Sequence, residues 1–337
     1  MKMVVHLDKN SYPIVLERGV LTHIGDFLDV QRKVALITES GVPEKWVELI
    51  RKQLPDGLVL TFPEGEGSKC FTQYENLLKQ LIDAHFTRKD AVIALGGGVT
   101  GDLAGFVASS YMRGIDFYNL PTTVLSQVDS SVGGKVAIDV GAVKNIVGAF
   151  YQPKAVLIDP DVLQTLPQRQ INNGLMEALK TGLIQDPELF RLFESDDRCI
   201  DAIIEHSIDV KRRVVEQDEK ESGLRKCLNF GHTIGHAIEG AYGLNTYLHG
   251  ECVAMGMLFM IENAALKKQV LTIYEKLHIP PVPDYDVDVL MDFIAHDKKN
   301  NADSVTVVLV KELGSFVLEQ WSFDQVRAVL ERGPYEE

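Results

Sequence analysis

Three histidines in the second half of the chain have the types and spacing of a metal site. His232 and His236 are four residues apart in segment 229–239, which we expect to be helical, so their side chains lie on one helix face. His249 comes just before the next predicted helix. Two histidines at this spacing are a common pair of zinc ligands, although such residues can also pack between helices. Spacing alone therefore pairs His232 with His236 as ligands and leaves helix packing as the alternative.

A carboxylate would complete a catalytic zinc site, because such a site usually has three protein ligands and one open position. Glu177, in the predicted helical segment 174–180, is the candidate. A single glutamate in a helix is more often a solvated surface residue. Its position in the sequence does not decide between these two interpretations.

A glycine-rich turn between a predicted strand and a predicted helix could bind phosphate. Residues 91–95 indicate a strand, and Gly96, Gly98 and Gly101 match the pattern G-x-G-x-x-G. Glycine lets the backbone approach a pyrophosphate, and the N-terminus of the following helix supplies N–H donors. A standard dinucleotide site also has an acidic residue about 20 residues later, but that position is close to Pro121. The turn therefore predicts a dinucleotide site that departs from the standard arrangement, with a purely structural turn as the alternative.

Other charged segments could bind further parts of an anionic ligand. The loop 64–69 (EGEGSK) could contact a ribose or an adenine, although by itself a solvated loop is the simpler interpretation. The Gly- and Ser-rich segment 121–135 ends in a lysine, which suits an anion or a flexible surface loop. Lys180, Lys211 and Arg225 lie in or near predicted helices, where a solvated helix face is the alternative. Several such cations converging on one site would suit a substrate that carries phosphate and carboxylate groups.

The elements that must position these residues divide into two parts. In the first part, short apolar runs alternate with amphipathic segments, which indicates a parallel sheet covered by helices on both faces. We therefore predict an α/β fold, with a Rossmann-like parallel-sheet domain at 1–153 and a mainly α-helical domain at 154–337. The predicted strands of the first part are 33–38, 58–62, 91–95 and 117–120, and the opening residues form a hairpin. The predicted helices of the second part are 169–184, 187–194, 199–219, 229–242, 250–268 and 287–296.

The composition excludes several classes of protein. With 337 residues, 45% hydrophobic and 24% charged, the chain is globular, and its length allows two or three domains. Lys and Arg total 34 against 48 Asp and Glu, and the net charge of −14 argues against a nucleic-acid or membrane-surface binder. The four cysteines form no C-x-x-C pair, which favours a reducing compartment. Without a signal-peptide pattern or an apolar run of roughly 18 residues, we expect a cytoplasmic protein.

Taken together, these segments resemble the sugar-phosphate cyclase family, and within it the 3-dehydroquinate synthases. The matching segments, in the family's order, are GGGVTGDLAGF (Gly96–Phe106), YMRG (Tyr111–Gly114), PTTVLSQVDSSVGGKVAID (Pro121–Asp139), KNIVGAFYQP (Lys144–Pro153), GLMEALKTGLI (Gly174–Ile184), DEKESGLRKCLNFGHTIGHAIE (Asp218–Glu239) and LHGECVAMGM (Leu248–Met257). They span most of the chain, so the joint match is far more specific than the glycine turn alone.

The resemblance implies an NAD-binding α/β domain, a helical metal domain and a homodimer. It implies an enzyme of the shikimate pathway, which leads to the aromatic amino acids. The implied reaction converts DAHP (3-deoxy-D-arabino-heptulosonate 7-phosphate) to 3-dehydroquinate and phosphate. Its steps are transient oxidation of an alcohol by NAD⁺, β-elimination of phosphate, re-reduction, ring opening and intramolecular aldol closure, so NAD⁺ is regenerated in each turnover.

The resemblance also changes the inference from histidine spacing. It implies Glu177, His232 and His249 as ligands of a Zn²⁺ or Co²⁺ ion, with His236 as a proton-transfer group. The residues implied to surround the substrate are Lys135, Lys144, Asn145, Lys180, Lys211, Arg225, Asn229 and His236, with Arg113 from the partner subunit. The residues implied to hold NAD are Glu64, Gly65, Glu66, Lys69, Gly96, Gly97, Gly98, Val99, Thr100, Gly101, Asp102, Thr122, Thr123, Asp129, Lys135 and Lys144. The resemblance leaves open the role of Glu39 and which of Lys298 and Lys299 contacts phosphate.

Other functions stay open beside this one. A related cyclase would share fold, metal and NAD but close a different sugar phosphate, and Lys211, Arg225 and Asn229 argue against it together with the proton-transfer histidine. A metal- and NAD-dependent polyol dehydrogenase would lack the cationic pocket and would release NADH. A catalytically silent binding protein would not need the full set of matched polar residues.

Overall fold

The structure, a computed structural model, describes residues 1–141, 143–195, 197–243, 246–297 and 304–335. It divides into two compact units. The first comprises Met1–Pro167 and Lys211–Glu219, and the second comprises Gln168–Val210 and Lys220–Glu337. The domain division after residue 153 stays a prediction. Among the described residues, no helix has both the length and the apolar character needed to cross a membrane.

The first unit is built on a seven-stranded sheet. The strands of this unit are β1 (Lys2–Val5), β2 (Tyr12–Leu16), β3 (Lys33–Glu39), β4 (Asp56–Phe62), β5 (Ala91–Gly96), β6 (Asp116–Pro121), β7 (Lys135–Val140), β8 (Val143–Phe150) and β9 (Ala155–Ile158). The sheet has the order β1-β2-β9-β6-β5-β3-β4, and every neighbouring pair is parallel except the antiparallel β1–β2 pair. The prediction of a Rossmann-like parallel sheet opened by a hairpin is therefore confirmed.

Helices α1 (Glu44–Arg51), α2 (Phe71–Asp83) and α3 (Gly98–Ser110) connect strands of this sheet. The central strands read as unbroken apolar runs because helices bury them. Residues 91–95 of β5 are completely buried, and apolar side chains of β3 and β5 pack with Leu77 of α2 and Leu103 of α3. Since parallel strands end at one edge of a sheet, the turns after β3, β5 and β6 are brought together there.

Strands β7 and β8 form a separate antiparallel hairpin that the sequence analysis did not predict. Val136, Ala137 and Ile138 of β7 are buried, but this run is short, and nearly all of β8 faces solvent, so β8 lacks the pattern of a buried strand. Strand β7 packs against α3, and this contact attaches the hairpin to the rest of the first unit.

The second unit is mainly helical, as predicted. Its helices are α4 (Gln168–Gln185), α5 (Pro187–Glu194), α6 (Ile200–Gln217), α7 (His232–Tyr242), α8 (His249–Met260), α9 (Ala264–Lys276), α10 (Val287–Asp297) and α11 (Phe323–Arg332). Strands β10 (Ser304–Leu309) and β11 (Val317–Ser322) pair antiparallel. The last residues of α6, from Lys211 onward, belong to the first unit.

The single helix predicted over 250–268 is wrong, because the structure has two helices there. Helix α8 ends at Met260, and Ile261 instead forms a parallel bridge with Val310. Asn263 then begins α9 as its N-cap, with its side chain accepting the N–H of Leu266. The apolar pattern continues through the break, because α8 is buried on all sides and α9 buries one face. The pattern therefore hides the break.

Candidate active site

Helices α7 and α8 position the three histidines because glycines let the two helices approach closely. A Cβ at Gly235 would lie 2.8 Å from a backbone oxygen of α8, and a Cβ at Gly256 would lie 2.0 Å from the carbonyl oxygen of Gly231. His232 is the first residue of α7, and His249 is the first residue of α8. As a result the three imidazole rings converge, with centroids 5.2, 5.4 and 5.7 Å apart.

Glu177 of α4 lies among these histidines and is buried, with only 2% of its surface exposed. Its Oε1 is 3.7 Å from Nε2 of His232 and 3.6 Å from Nε2 of His249. That oxygen has no hydrogen-bond partner, whereas Oε2 accepts a short hydrogen bond from Lys180. A buried carboxylate oxygen without a partner is costly unless a cation neutralises it. The three atoms therefore fit a divalent metal ion.

Two of the histidines are oriented by bonds to their other ring nitrogen. Nδ1 of His249 lies 2.9 Å from Oε2 of Glu239, and Nδ1 of His232 lies 3.1 Å from the carbonyl oxygen of Phe230. Each Nδ1 can donate its proton to that oxygen, which leaves the Nε2 lone pair directed at Glu177. Such outer contacts set the tautomer and orientation of metal-binding histidines.

His236 leaves a second donor set geometrically possible. One ligand atom of His232, of His236 and of His249 can be chosen so that all three lie within 4.8 Å of one another. The structure therefore brings together all four residues that the sequence analysis considered as ligands. Of these four residues, Glu177 is the one that combines deep burial with an oxygen that has no hydrogen-bond partner. This difference favours the carboxylate over His236.

The electrostatics of the cluster suit a cation. Burial would raise the pKa of Glu177, but the Lys180 ammonium and the neighbouring histidines hold that pKa well below its usual range. Burial and Lys180 hold the pKa of His232 well below its usual range, so this imidazole is neutral. Burial would lower the pKa of His249, but its contacts with Glu177 and Glu239 raise that pKa to about 9. A proton and a metal ion therefore compete for His249.

Gly256→Ala is expected to destabilise the fold and weaken metal binding, because the added Cβ must push α7 away from α8. Overpacking of this kind costs about 1–3 kcal/mol of the free energy of unfolding. Chemical denaturation of the metal-free protein measures the first effect, and zinc titration against a competing chelator measures the second. Gly25→Ala is the matched control, since its Cβ would make only an ordinary 3.6 Å contact with Val30. Unchanged stability and zinc affinity in Gly256→Ala would contradict the prediction.

In the first unit, the glycine turn has the predicted strand–turn–helix geometry, and Glu39 lies against it. The carboxylate of Glu39, at the end of β3, accepts the N–H of Gly97 at 3.2 Å and the hydroxyl of Thr100 at 3.0 Å. The N–H of Gly65 lies 3.5 Å from the same carboxylate. An acidic residue therefore lies at the glycine turn, but it comes from the end of β3, a neighbour of β5 in the sheet, and not from the segment near Pro121. The order of the strands along the chain does not reveal this contact, because β3 and β5 are neighbours in the sheet while β4 lies between them in the chain.

The loop 64–69 is also brought to the glycine turn. Lys69 is 4% exposed, and its ammonium donates to Asp102 of α3 at 2.8 Å and, by a short bond, to Oδ1 of Asn145. Oε1 of Glu66 is 3.4 Å away. Burial would lower the pKa of Lys69, but these carboxylates outweigh burial and raise it. A loop that by itself suggests a solvated segment thus contributes a buried cation.

The turn after β6 adds further polar residues. The N–H of Thr122 donates to the carbonyl oxygen of Gly96 at 2.9 Å, which joins this turn to the glycine turn. The Thr123 hydroxyl lies 2.8 Å from the hydroxyl of Ser126. Asp129 then accepts a 2.7 Å hydrogen bond from Lys211 of α6. A residue implied for NAD and a residue implied for substrate therefore form one ion pair.

Three other residues of the first unit lie at its surface. Lys135 begins β7 and Lys144 lies on β8, and both are exposed. Arg113 is also exposed and has a positive φ of 69°, next to Met112 with φ 48°. Non-glycine residues in this left-handed region are uncommon and often mark functional sites.

The remaining residues implied for the substrate belong to the second unit. Arg225 is 1% exposed, and Nδ2 of Asn229 donates to Oε1 of Glu221 at 2.7 Å. Both lie in the segment just before α7, close in sequence to His232 and His236. Lys298 and Lys299 lie outside the described residues.

Sequence reasoning did not single out Glu239 or Asp139. Glu239 contacts His249 and lies seven residues after His232, two helical turns along the same face of α7. Helical spacing could therefore have found it. Asp139 contacts the backbone of Asn145, and nothing in the local sequence marks that contact.

Comparisons with known proteins identify a family for this chain. A family model described as 3-dehydroquinate synthase N-terminal matches residues 59–173, and one described as 3-dehydroquinate synthase C-terminal matches residues 174–300. A 3-dehydroquinate synthase of Streptococcus thermophilus is 41% identical over 98% of this chain and 100% of that protein.

Two solved structures share the fold over nearly the whole chain. A 2-deoxy-scyllo-inosose synthase, complexed with carbaglucose-6-phosphate, NAD⁺ and Co²⁺, has a TM-score of 0.86 at 26% identity, covering 99% of this chain and 100% of its own. The 2-epi-5-epi-valiolone synthase of Streptomyces hygroscopicus, with NAD⁺ and Zn²⁺, has a TM-score of 0.87 at 24% identity, covering 98% of each chain. The resemblance found in the sequence is confirmed, and the chain belongs to the 3-dehydroquinate synthase family.

Proposed function

We propose that this protein is a 3-dehydroquinate synthase, a phosphate-eliminating lyase of the shikimate pathway that converts DAHP to 3-dehydroquinate and phosphate. The observation that carries the proposal is the buried, unpartnered Oε1 of Glu177 facing two oriented imidazoles. The two family models and the near-complete alignment with a named 3-dehydroquinate synthase support the reaction. The reaction sequence is transient alcohol oxidation, β-elimination of phosphate, re-reduction, ring opening and intramolecular aldol closure.

In this proposal Glu177, His232 and His249 hold a Zn²⁺ or Co²⁺ ion, and residues of the first unit hold NAD⁺. When bound, the metal supplies Lewis acidity and NAD⁺ supplies a reversible hydride acceptor. His236 is not needed as a ligand, and its ring lies 5.2 Å from that of His232 by centroid distance. We propose that it moves a proton to or from a substrate oxygen.

The NAD site that we propose lies in residues 1–153, and the metal site lies in residues 154–337. At the glycine turn, the N-terminus of α3 offers N–H groups to the cofactor phosphates. Glu39 and the buried Lys69 order the two loops beside this turn. The residues that we propose to bind NAD⁺ are those that the family resemblance implies, and they include Asp102, Thr122, Thr123 and Asp129.

The substrate contacts that we propose are mostly cations, because DAHP carries a phosphate and a carboxylate. In the first unit these contacts are Lys135, Lys144, Asn145 and Lys211. In the second unit they are Lys180, Arg225, Asn229 and His236. Lys180 and Arg225 are both buried, and Lys180 lies beside the proposed metal ligand Glu177.

We further propose that the protein acts as a homodimer in the cytoplasm. Arg113 would then reach the phosphate of the partner's substrate. Its exposure and left-handed backbone, beside the exposed Met112, suit a residue presented to another chain. The four cysteines, which the structure has as thiols, fit a reducing compartment.

The decisive assay combines purified protein, DAHP, catalytic NAD⁺ and Zn²⁺ or Co²⁺. We expect phosphate release far in excess of the NAD⁺ added, without net NADH, because each hydride is returned in the same turnover. Protein stripped of metal with a chelator is the control and should regain activity when the metal is restored. Stoichiometric NADH from a simple polyol would instead indicate a dehydrogenase, and turnover of glucose 6-phosphate but not DAHP would indicate a different cyclase.

A further inference from the structure

The hairpin β7–β8 contains a bulge in β8, opposite Asp139 of β7. Ile138 pairs with Val147 and Val140 pairs with Val143, so Asp139 alone faces the stretch 144–146. Bulges of this kind bend a strand locally and re-aim its side chains, and they are frequent beside active sites. This bulge contains Lys144 and Asn145, which the proposed function assigns to cofactor and substrate.

Asn145 has a left-handed backbone, with a φ of 53°. Asparagine tolerates this region better than most residues, but the conformation still needs support from its surroundings. Oδ1 of Asp139 provides that support, because it accepts the Asn145 N–H at 2.7 Å. The side chain of Asn145 is held separately, since its Oδ1 accepts a short hydrogen bond from the ammonium of Lys69.

A third hydrogen bond closes a ring of three residues. The backbone N–H of Asp139 donates to the carbonyl oxygen of Lys69 at 2.7 Å. Lys69, Asp139 and Asn145 are therefore each bonded to the other two. The ammonium of Lys69 also donates to Asp102 of α3, so the ring connects the hairpin to the helix that follows the glycine turn.

We propose that Asp139 is a positioning residue, which holds Asn145 in its left-handed conformation and thereby orients the 144–146 stretch towards the bound ligands. This inference rests on the proposed function, which assigns Lys144 and Asn145 to the site. Asp139 acts through Asn145 and does not itself touch substrate or cofactor.

The test is a double-mutant cycle on kcat/KM for DAHP. Asp139→Ala is expected to cost about 10- to 100-fold in the parent protein, because a displaced active-site residue loses rate steeply. In an Asn145→Gly background, where no side chain remains to be oriented, the same substitution should cost less than about 3-fold. Asp139→Asn should stay within about 3-fold of the parent, since an amide oxygen can still accept the Asn145 N–H. Equal costs of Asp139→Ala in the two backgrounds would overturn the proposal.

Hydrogen exchange at the Asn145 amide tests the same contact without any activity. Asp139→Ala should speed that exchange by at least about 10-fold, and Asp139→Asn should not. Asp83→Ala, which removes an exposed carboxylate from the end of α2, is the matched control and should change neither readout. If the parent protein releases no phosphate from DAHP, the proposed function fails, while unchanged exchange in Asp139→Ala overturns the positioning role itself.

Discussion

His249→Ala is expected to abolish both metal binding and turnover, whereas His236→Ala should keep the metal and lower kcat by about 10²- to 10⁴-fold. The reason is geometric. Nε2 of His249 faces the unpartnered Oε1 of the buried Glu177, and Glu239 fixes the orientation of the imidazole. Removal of this imidazole leaves two donors, which is too few for a site that usually has three protein ligands.

Metal content after dialysis against a buffered trace of Zn²⁺, together with kcat for DAHP, checks this prediction. Glu177→Gln should behave like His249→Ala, because an amide oxygen cannot neutralise the ion. His6→Ala, at an exposed histidine of the first unit, is the control and should leave both quantities unchanged. If His236→Ala loses the metal while Glu177→Gln retains it, the ligands are the three histidines, and our donor set is wrong.

A heterodimer of an Arg113→Ala chain and a His236→Ala chain is expected to recover about half of the activity of the parent dimer, although each homodimer is nearly inactive. If Arg113 serves the partner's site, the His236→Ala chain supplies the missing arginine to the Arg113→Ala chain. The latter chain retains His236, so one of the two sites is complete. Two different affinity tags and tandem purification isolate the heterodimer for measurement of kcat.

The inverse arrangement is a matched control. A heterodimer of the parent chain and a chain carrying both substitutions should be nearly inactive, because the parent chain's site then lacks the arginine of its partner. If Arg113 acts within its own chain, the two results exchange places, and the double-substituted heterodimer has the activity. A monomeric protein in light scattering would also contradict the proposal that Arg113 acts on the partner.

Elements with strong local patterns could be predicted from the sequence. The strands of the parallel sheet appear as apolar runs because both faces are buried, and the glycine turn is marked by its spacing between a strand and a helix. The hairpin β7–β8 could not be predicted, because nearly all of β8 is exposed and lacks a periodic apolar pattern. The break between α8 and α9 was hidden for the opposite reason. Apolar residues run through the buried α8 and recur along one face of α9, and the bridge from Ile261 to Val310 joins residues far apart in the chain.

The candidate active site likewise combines features that local patterns predict with features that only tertiary contacts create. Helical spacing correctly places His232 and His236 on one face, and by itself it pairs them as ligands. Glu177, on a helix much earlier in the chain, comes to face His232 and His249 only because α4, α7 and α8 pack together. The conformation of the loop 64–69 depends on tertiary contacts too, since Lys69 is buried where its ammonium donates to Asp102 and Asn145.

What the sequence by itself determined is the family, the fold class, and the residues able to bind metal, phosphate and cofactor. These follow from residue types, short spacings and the order of segments along the chain. The tertiary structure decided that Glu177 joins the histidines, that Glu39 supplies the acid at the glycine turn, and that Asp139 holds Asn145. Spacing rules reach only a few residues along a helix or strand, whereas these partners meet through the packing of distant segments, which no local pattern records.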